Sequence, residues 1–279
     1  MNKVGILYHP MKEAATPLAE KLEKFLKDKA IDTWVCSAWE VDEARARVNG
    51  TDLILSIGGD GTILRAAQTI VPEPTPITGI NLGHLGFMTE LAVEEAEEKL
   101  TALLAGDGWI DERCLLQAEL SIENNKQEPP QKFYALNDVV VSHGAVARVI
   151  HAEVSIDGEL LTTYKADGVI VATATGSTGY ALAANGPILH PQAEELILVP
   201  IAPHLSSAYS LVLPSTSEVK LRLSITHPAT LSIDGHINLP LSEGAAITVK
   251  HSRNTVRFLR IHPKSTFYGS LEQRLKGKQ

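Results

Sequence analysis

"LILSIGGDGTILRAA", residues 53–67, joins an apolar run to an amphipathic one through a corner made of three glycines and one acid. Leu53 to Ile57 is apolar but for Ser56, the pattern of a strand whose two faces are both covered in a parallel sheet. Ile63, Leu64 and Ala67 open the apolar face of a helix. Chain direction then puts Gly58, Gly59, Asp60 and Gly61 at the carboxyl edge of the sheet, where open α/β sheets bind ligands. Glycines let a backbone approach a phosphate closely, and a helix N-terminus supplies unpaired N–H donors. Asp60 itself has two readings. It either makes a turn near a helix start, or it holds a ligand hydroxyl, since a bare carboxylate would repel phosphate oxygens.

The surrounding sequence repeats the strand-then-helix order. Lys3 to Tyr8 is a short apolar run, followed by Leu18, Leu22, Phe25 and Leu26 at helical spacing. "DTWVCSA" reads as a second strand and "WEVDEARARVNG" as a short helix closed by Gly50. Beyond the loop "VPEPTP" lie the strand "ITGINLG" and a helix whose apolar face is Val93, Ala96, Leu100, Leu103 and Leu104. A doubly wound, Rossmann-like α/β domain over residues 1–110 follows. From Trp109 the pattern changes to short alternating segments, among them "FYALNDVVVSH", "GVIVATA", "AAITVKHS" and "TVRFLRI". Asp157-Gly158 and Asp234-Gly235 sit at hairpin positions that suit primed turns. Residues 111–263 are therefore expected to form an antiparallel β-sandwich domain, with a helical tail over 264–279 packing back on the first domain.

The chain has 279 residues and a net charge of -8, with Lys and Arg scattered, which argues against a nucleic-acid binder or a membrane-surface protein. No apolar run is long enough to span a bilayer. Cys36 and Cys114 lack paired spacing and read as reduced core thiols of a cytoplasmic protein. His9, His84, His143, His190 and His204 lack zinc spacing, and Trp34, Trp39 and Trp109 read as packing or interface residues.

Two further segments carry candidate chemistry. In "LNDVVV", the amide of Asn137 beside the carboxylate of Asp138 can donate and accept around a ribose or an adenine edge, although such a pair also caps strands. In "YKADGVIVATATGSTGYALAANGPILHP", Lys165 and Asp167 precede a strand. Thr175, Ser177 and Thr178 then bring hydroxyls, Gly176 and Gly179 open the backbone, and Tyr180 offers a flat ring. The set suits an adenosine; a polar loop with a packed tyrosine is the plainer alternative.

"GGDGT", "GINLGHLGF", "LNDVVV", "KADGVIVATATGSTGYALAANGPI" and "SIDGH" occur in an order that resembles the NAD kinases over most of the chain. "GGDGT" alone is shared with diacylglycerol and sphingosine kinases. The resemblance implies transfer of the γ-phosphoryl of ATP to the 2′-hydroxyl of the adenosine ribose of NAD, with Asp60 as the catalytic acid and Gly61 beside it. It implies that Arg65 reaches phosphate and that Leu85, Gly86 and Phe87 line the dinucleotide pocket. Asn137 and Asp138 match the pair that binds NAD, and Arg148 falls where the family has a polar or basic contact. Lys165 stands where many members have Arg, and Asp167 matches an acid that reads adenine, in some members across a subunit interface. Thr175 belongs to the same nucleoside segment. Thr178, Gly179, Tyr180, Ala181, Leu182 and Ala183 match the stretch that contacts the nucleoside, with Tyr180 stacking, and His236 stands where others often have Gln. Mg²⁺ held by ATP phosphates and water, no dedicated metal cage, and a homodimer or homotetramer are also implied. "TATGSTGY" departs from the commoner "TPTGSTAY", and "HLSSAYSLVLP" lacks the usual Arg-Pro. The alternatives are a lipid kinase of the same superfamily, or a dinucleotide sensor without activity.

Overall fold

The computed structural model describes residues 1–83, 86–122, 129–144, 149–204, 209–224, 228–264 and 266–276. It divides into two compact units, Met1–Glu112 with Thr255–Gln279, and Arg113–Asn254. In chain order the first unit holds β1 (Lys3–Tyr8), α1 (Ala15–Asp28), β2 (Asp32–Ser37), α2 (Val41–Val48), β3 (Leu53–Gly58), α3 (Asp60–Ile70), β4 (Ile77–Asn81), β5 (Leu91–Ala92) and α4 (Ala96–Leu104). β6 (Trp109–Ile122) runs from the first unit into the second. The second unit continues with β7 (Gln131–Ala135), β8 (Asp138–His143), β9 (Ile150–Ile156), β10 (Glu159–Ala166) and β11 (Gly168–Ala172). A 3-10 turn (Gly176–Thr178) and α5 (Tyr180–Ala183) precede β12 (Leu196–Ile201), β13 (Leu211–Leu213), β14 (Glu218–Ser224), β15 (Ala229–Ile233) and β16 (Ile237–Leu241). β17 (Ala245–Arg260) returns to the first unit, where α6 (Thr266–Lys276) follows.

In the first unit β2, β1, β3 and β4 lie side by side and parallel, and Phe258 of β17 pairs with Ile77 on the far side of β4. Every residue of β3 is buried, Ser56 included, as expected of a largely apolar run covered on both faces. Leu18, Leu22 and Leu26 of α1 share one core cluster with Val4, Ile6, Leu53, Leu55 and Ile57. The buried side of α3 is Ile63, Leu64, Ala66, Ala67 and Ile70. Gly5 in β1 leaves the space that the Trp34 ring of β2 fills; a Cβ on it would lie 2.3 Å from that ring. The Trp34 indole N–H donates to Thr51 Oγ1 at 3.1 Å, which fixes the ring there.

The second unit is antiparallel. One sheet runs β13-β12-β11-β8-β15-β16, and β10, β9, β14 and β17 form a second row of paired strands. Val139, Val141, Val169, Val171, Leu231 and Ile233 of the first sheet meet Ala152, Val154, Val219, Leu221, Ile247 and Val249 in one core. The alternate residues Val140, Ile170 and Ala172 pack with Ala181 of α5 in a smaller cluster, so β11 is apolar on both faces. Both expected Asp-Gly turns adopt left-handed backbone, with φ of 53° and 86° at Asp157-Gly158 and 49° and 71° at Asp234-Gly235. That is the primed geometry that matches strand twist.

Three sequence expectations need correcting. "AAITVKHS" and "TVRFLRI" are one strand, β17, which runs on through the polar stretch between them with Ser252 buried. Val93 is exposed and precedes α4, which begins at Ala96. "FYALNDVVVSH" is two strands, parted at Leu136-Asn137 for a reason given below. No helix among the described residues is long and apolar enough to cross a membrane.

Gly5→Ala is expected to force the Trp34 ring off its place and cost about 1–3 kcal/mol. A thermal midpoint equal to that of the parent chain would show that the ring yields freely.

Candidate functional site

In the first unit, Gly59 in extended backbone breaks the chain out of β3, and α3 starts at Asp60. The Asp60 carboxylate does not cap its own helix. Oδ2 accepts the Phe87 N–H at 2.8 Å and Oδ1 the Met88 N–H at 3.0 Å. Gly86 is the residue that allows this closeness, since a Cβ there would stand 2.2 Å from Asp60 Oδ1. Each carboxylate oxygen, holding one N–H, keeps a lone pair for a further donor such as a hydroxyl. Gly61 is exposed with open space beside it. Asp60 is thus more than a turn residue: it ties α3 to a loop 27 residues away.

Arg65, expected to reach phosphate, lies with its guanidinium 4.2 Å from the centroid of the Trp39 ring. Trp39 packs in turn on His9, with ring centroids 4.5 Å apart. Burial draws the Arg65 pKa down. The His9 pKa falls by burial first, then through Lys12 and Arg65. Trp39 therefore orients a cation, a role its sequence context did not disclose. Leu85 lies outside the described residues. Phe87 and Gly86 take part through their backbone, on Asp60.

In the second unit, Asn137 and Asp138 lead into β8, and an aspartate from the β15–β16 turn organises them. Asp234 accepts the N–H groups of Leu136 at 2.9 Å, Asn137 at 2.7 Å and Asp138 at 3.2 Å. These three donors turn away from strand pairing, which is why β7 and β8 are separate. Asp138 is 5 % exposed. Burial, and then the negative charge of Asp234, push its carboxyl up to about 7. The Asn137 side-chain oxygen is buried without a hydrogen-bond partner among the described residues. Its backbone oxygen accepts the Thr173 N–H at 2.9 Å. A cavity of about 480 Å³ opens here, lined by Asn137, Asp138, Tyr180, Asp234, His143 and Asn238 among others.

The "TATGSTGY" loop folds over Asn137. Thr173 Oγ1 donates to Leu136 O at 2.6 Å and accepts the Gly176 N–H at 3.0 Å. A Cβ on Gly176 would meet Asn137 O at 2.0 Å. The hydroxyls expected to face a nucleoside are instead turned inward. Ser177 donates to Ala174 O at 2.6 Å, Thr178 to Thr175 O at 3.3 Å, and Thr175 accepts from Arg113 at 3.3 Å. Gly179 faces the Asn137 amide and the Asp138 carboxyl. Tyr180, 48 % exposed, offers its ring at the cavity. Ala181 is buried in the small core, Leu182 is half-buried and Ala183 exposed. His236 shares Nδ1 with Asp234 O at 3.1 Å, and its Nε2 is buried without a partner among the described residues.

Lys165 is exposed on β10. Asp167 follows that strand half-buried, its backbone bonded to Ile201 and His143. Arg148 lies outside the described residues. Sequence reasoning missed Asp234, whose signal was the acid of "SIDGH", there read only as a turn. It also missed Thr173. Both cysteines are free and buried. Cys36, Glu40 and Glu43 form a cluster of metal-ligand types among the described residues. Burial first, then Glu43 and Glu40, raise the Cys36 thiol to about 11. A protonated soft ligand does not suit Mg²⁺.

Residues 28–108 match the ATP-NAD kinase N-terminal domain family and residues 136–261 the ATP-NAD kinase C-terminal domain family. The NAD kinase of Dehalococcoides mccartyi is 50% identical over 276 residues, covering 99% of this chain and 96% of that protein. Yeast NADH kinase, in a crystal structure with NADH, superposes with a TM-score of 0.86 at 24% identity, covering 99% of this chain and 88% of that one. An NAD kinase from Archaeoglobus fulgidus, in a crystal structure with ATP, gives 0.76 at 25% identity, covering 99% of both chains.

Between its ordinary value of 3.8 and about 7, Asp138 keeps in the folded chain a proton that the unfolded chain has released. Its contribution to stability therefore falls as pH rises through that window. Asp138→Asn is expected to flatten the decline of the thermal midpoint over this range. Parallel profiles for variant and parent would mean that the carboxyl titrates normally.

Proposed function

This chain belongs to the ATP-NAD kinase family and is an NAD kinase, and from that premise we propose how its residues carry the transfer of the γ-phosphoryl of ATP to the 2′-hydroxyl of the adenosine ribose of NAD. The observation that carries the proposal is the Asp60 carboxylate, held at the carboxyl edge of the parallel sheet by two peptide N–H groups with acceptor capacity left over. Asp60 orients the ribose hydroxyl and takes its proton as the new O–P bond forms and the bond from the γ-phosphorus to the β-phosphate breaks, giving NADP and ADP. Phosphoryl transfer passes through a loose transition state in most analyses, so alignment and charge neutralisation matter more than the strength of the base.

Mg²⁺ carried by the ATP phosphates would supply charge neutralisation there, with no set of side chains in the chain needed to hold it. Arg65 is the cation one turn along α3 from Asp60, and Trp39 orients it toward phosphate. In the second unit Asn137, Asp138 and Tyr180 are the NAD-binding groups, supported by the cavity they line and by the unpartnered Asn137 oxygen. A carboxyl pushed up to about 7, as that of Asp138 is by burial and then by Asp234, still carries a proton in a share of molecules at neutrality, and in that form can both donate to and accept from a ribose or a base. Gly61, Leu85, Arg148, Lys165, Asp167, Thr175, Thr178, Leu182, Ala183 and His236 keep their NAD-binding assignment on the resemblance alone. Two buried free thiols support a cytoplasmic location. The resemblance supports a homodimer or homotetramer.

Purified protein with ATP, Mg²⁺ and NAD is expected to form NADP, and with diacylglycerol no phospholipid. Asp60→Asn should bind NAD as the parent does and lose roughly 10²- to 10⁴-fold in kcat; full turnover would remove Asp60 from the reaction. Tyr180→Ala is expected to weaken NAD binding by about 1–3 kcal/mol, the range of a base–aromatic stack. Unchanged affinity in a titration would take its ring off the base.

A further inference from the structure

The two N–H groups that grip Asp60 belong to a short turn, and that turn is braced by α6. The Gly86 carbonyl is in the same peptide group as the Phe87 N–H. It accepts a hydrogen bond from Arg274 Nη1 on α6. Arg274 is itself fixed, because its Nε donates to Ser270 Oγ at 2.9 Å one turn back on the helix. The 86–87 peptide therefore lies in line between a guanidinium at its oxygen and a carboxylate at its N–H. Charge at both ends of a peptide dipole shortens and strengthens the hydrogen bonds it makes, and bonds in such a chain polarise one another.

A second guanidinium holds the next stretch. Arg260 Nη1 donates to Met88 O at 2.7 Å. This side chain is 5 % exposed and is bridged to Glu90 and Asp111, each at 3.2 Å. Removing Arg260 would take the guanidinium from two buried carboxylates, so its loss would act on folding first. Arg274 differs. It is half-buried and lines a cavity of about 430 Å³ with Asn81, Glu90, Glu95, His262 and Ser270. Shortening it widens an existing cavity instead of opening a void in the core.

We propose that Arg274 is a positioning residue for the phosphoryl transfer, holding the 86–87 peptide so that the Phe87 N–H stays on Asp60 and the carboxylate keeps its aim at the hydroxyl. The proposal rests on Asp60 being the acting carboxylate. Without the guanidinium the peptide can rotate, and Asp60 loses a donor from one oxygen. Misplacement of a reacting group by about 1 Å can cost up to about 10²-fold in rate.

Steady-state kinetics on Arg274→Ala, Arg274→Lys, Asp60→Asn and Lys276→Ala, with thermal midpoints for each, test this. Lys276 lies on the same helix and, among the described residues, pairs with exposed Glu272. Arg274→Ala is expected to lower kcat by roughly tenfold while both KM values stay within about twofold. Arg274→Lys should recover part of the loss, since an ammonium can still donate to the Gly86 carbonyl, and Lys276→Ala should match the parent. Low concentrations of guanidinium chloride should restore turnover to Arg274→Ala through the cavity the side chain vacates, and should do nothing for Asp60→Asn. An unchanged kcat in Arg274→Ala overturns the inference. So does a loss that follows the thermal midpoint and resists both the lysine and guanidinium. If Asp60→Asn is inactive while Arg274→Ala is normal, this inference alone fails; if Asp60→Asn turns over normally, the reading of Asp60 fails with it.

Discussion

In each unit an aspartate carboxylate accepts backbone N–H groups from a distant stretch of chain, and the candidate site residues are placed by that contact. Asp60 takes Phe87 and Met88, and Asp234 takes Leu136, Asn137 and Asp138. A buried peptide N–H without an acceptor costs about 1–3 kcal/mol, and a charged acceptor is among the strongest available. A loop that would otherwise need its own secondary structure can then stay irregular and still be rigid. The loops obtained this way are the ones that carry Gly86, Asn137 and Asp138. The glycines at these places follow from the same constraint, because Gly86 and Gly176 sit where a Cβ would collide with the groups being held.

The architecture was legible where a local pattern carries it. A largely apolar run before an amphipathic one gave β3 and α3, and Asp-Gly between alternating runs gave two turns with positive φ at both residues. These signals lie within a few residues of the structure they produce. Errors arose where a distant group overrode the local one. Asn137-Asp138 was read as entering or capping a strand, and β8 does begin there, but the group that ends pairing before it, Asp234, lies 97 residues on from Asn137 and left "FYALNDVVVSH" looking like one segment. "HSRNTV" looks like a break until the burial of Ser252 shows the strand continuing through it.

The site was legible in its residue types and less so in its contacts. Asp60 and the Asn137-Asp138 pair were found from the chemistry they could do. The hydroxyls of Thr175, Ser177 and Thr178 were read as facing a ligand, yet they hold the loop together from inside. Composition cannot tell these uses apart, since a hydroxyl beside glycines serves either. Trp39 was taken as packing, and it does pack, but against Arg65. Asp138 shows a property that sequence alone does not reveal. Its unusual affinity for a proton comes from burial beside Asp234, and neither cause is adjacent in the chain.

The first unit is assembled from two pieces of chain, with residues 113–254 made between them. The turn that holds Asp60 receives Arg260 and Arg274 from the later piece. On a ribosome, where domains form from the N-terminus onward, the sheet of β1 to β4 can assemble early. The brace behind its carboxylate is added only after the whole second unit has been synthesised. A chain that stops short therefore has its glycine corner but lacks the two guanidinium groups that hold the turn behind it.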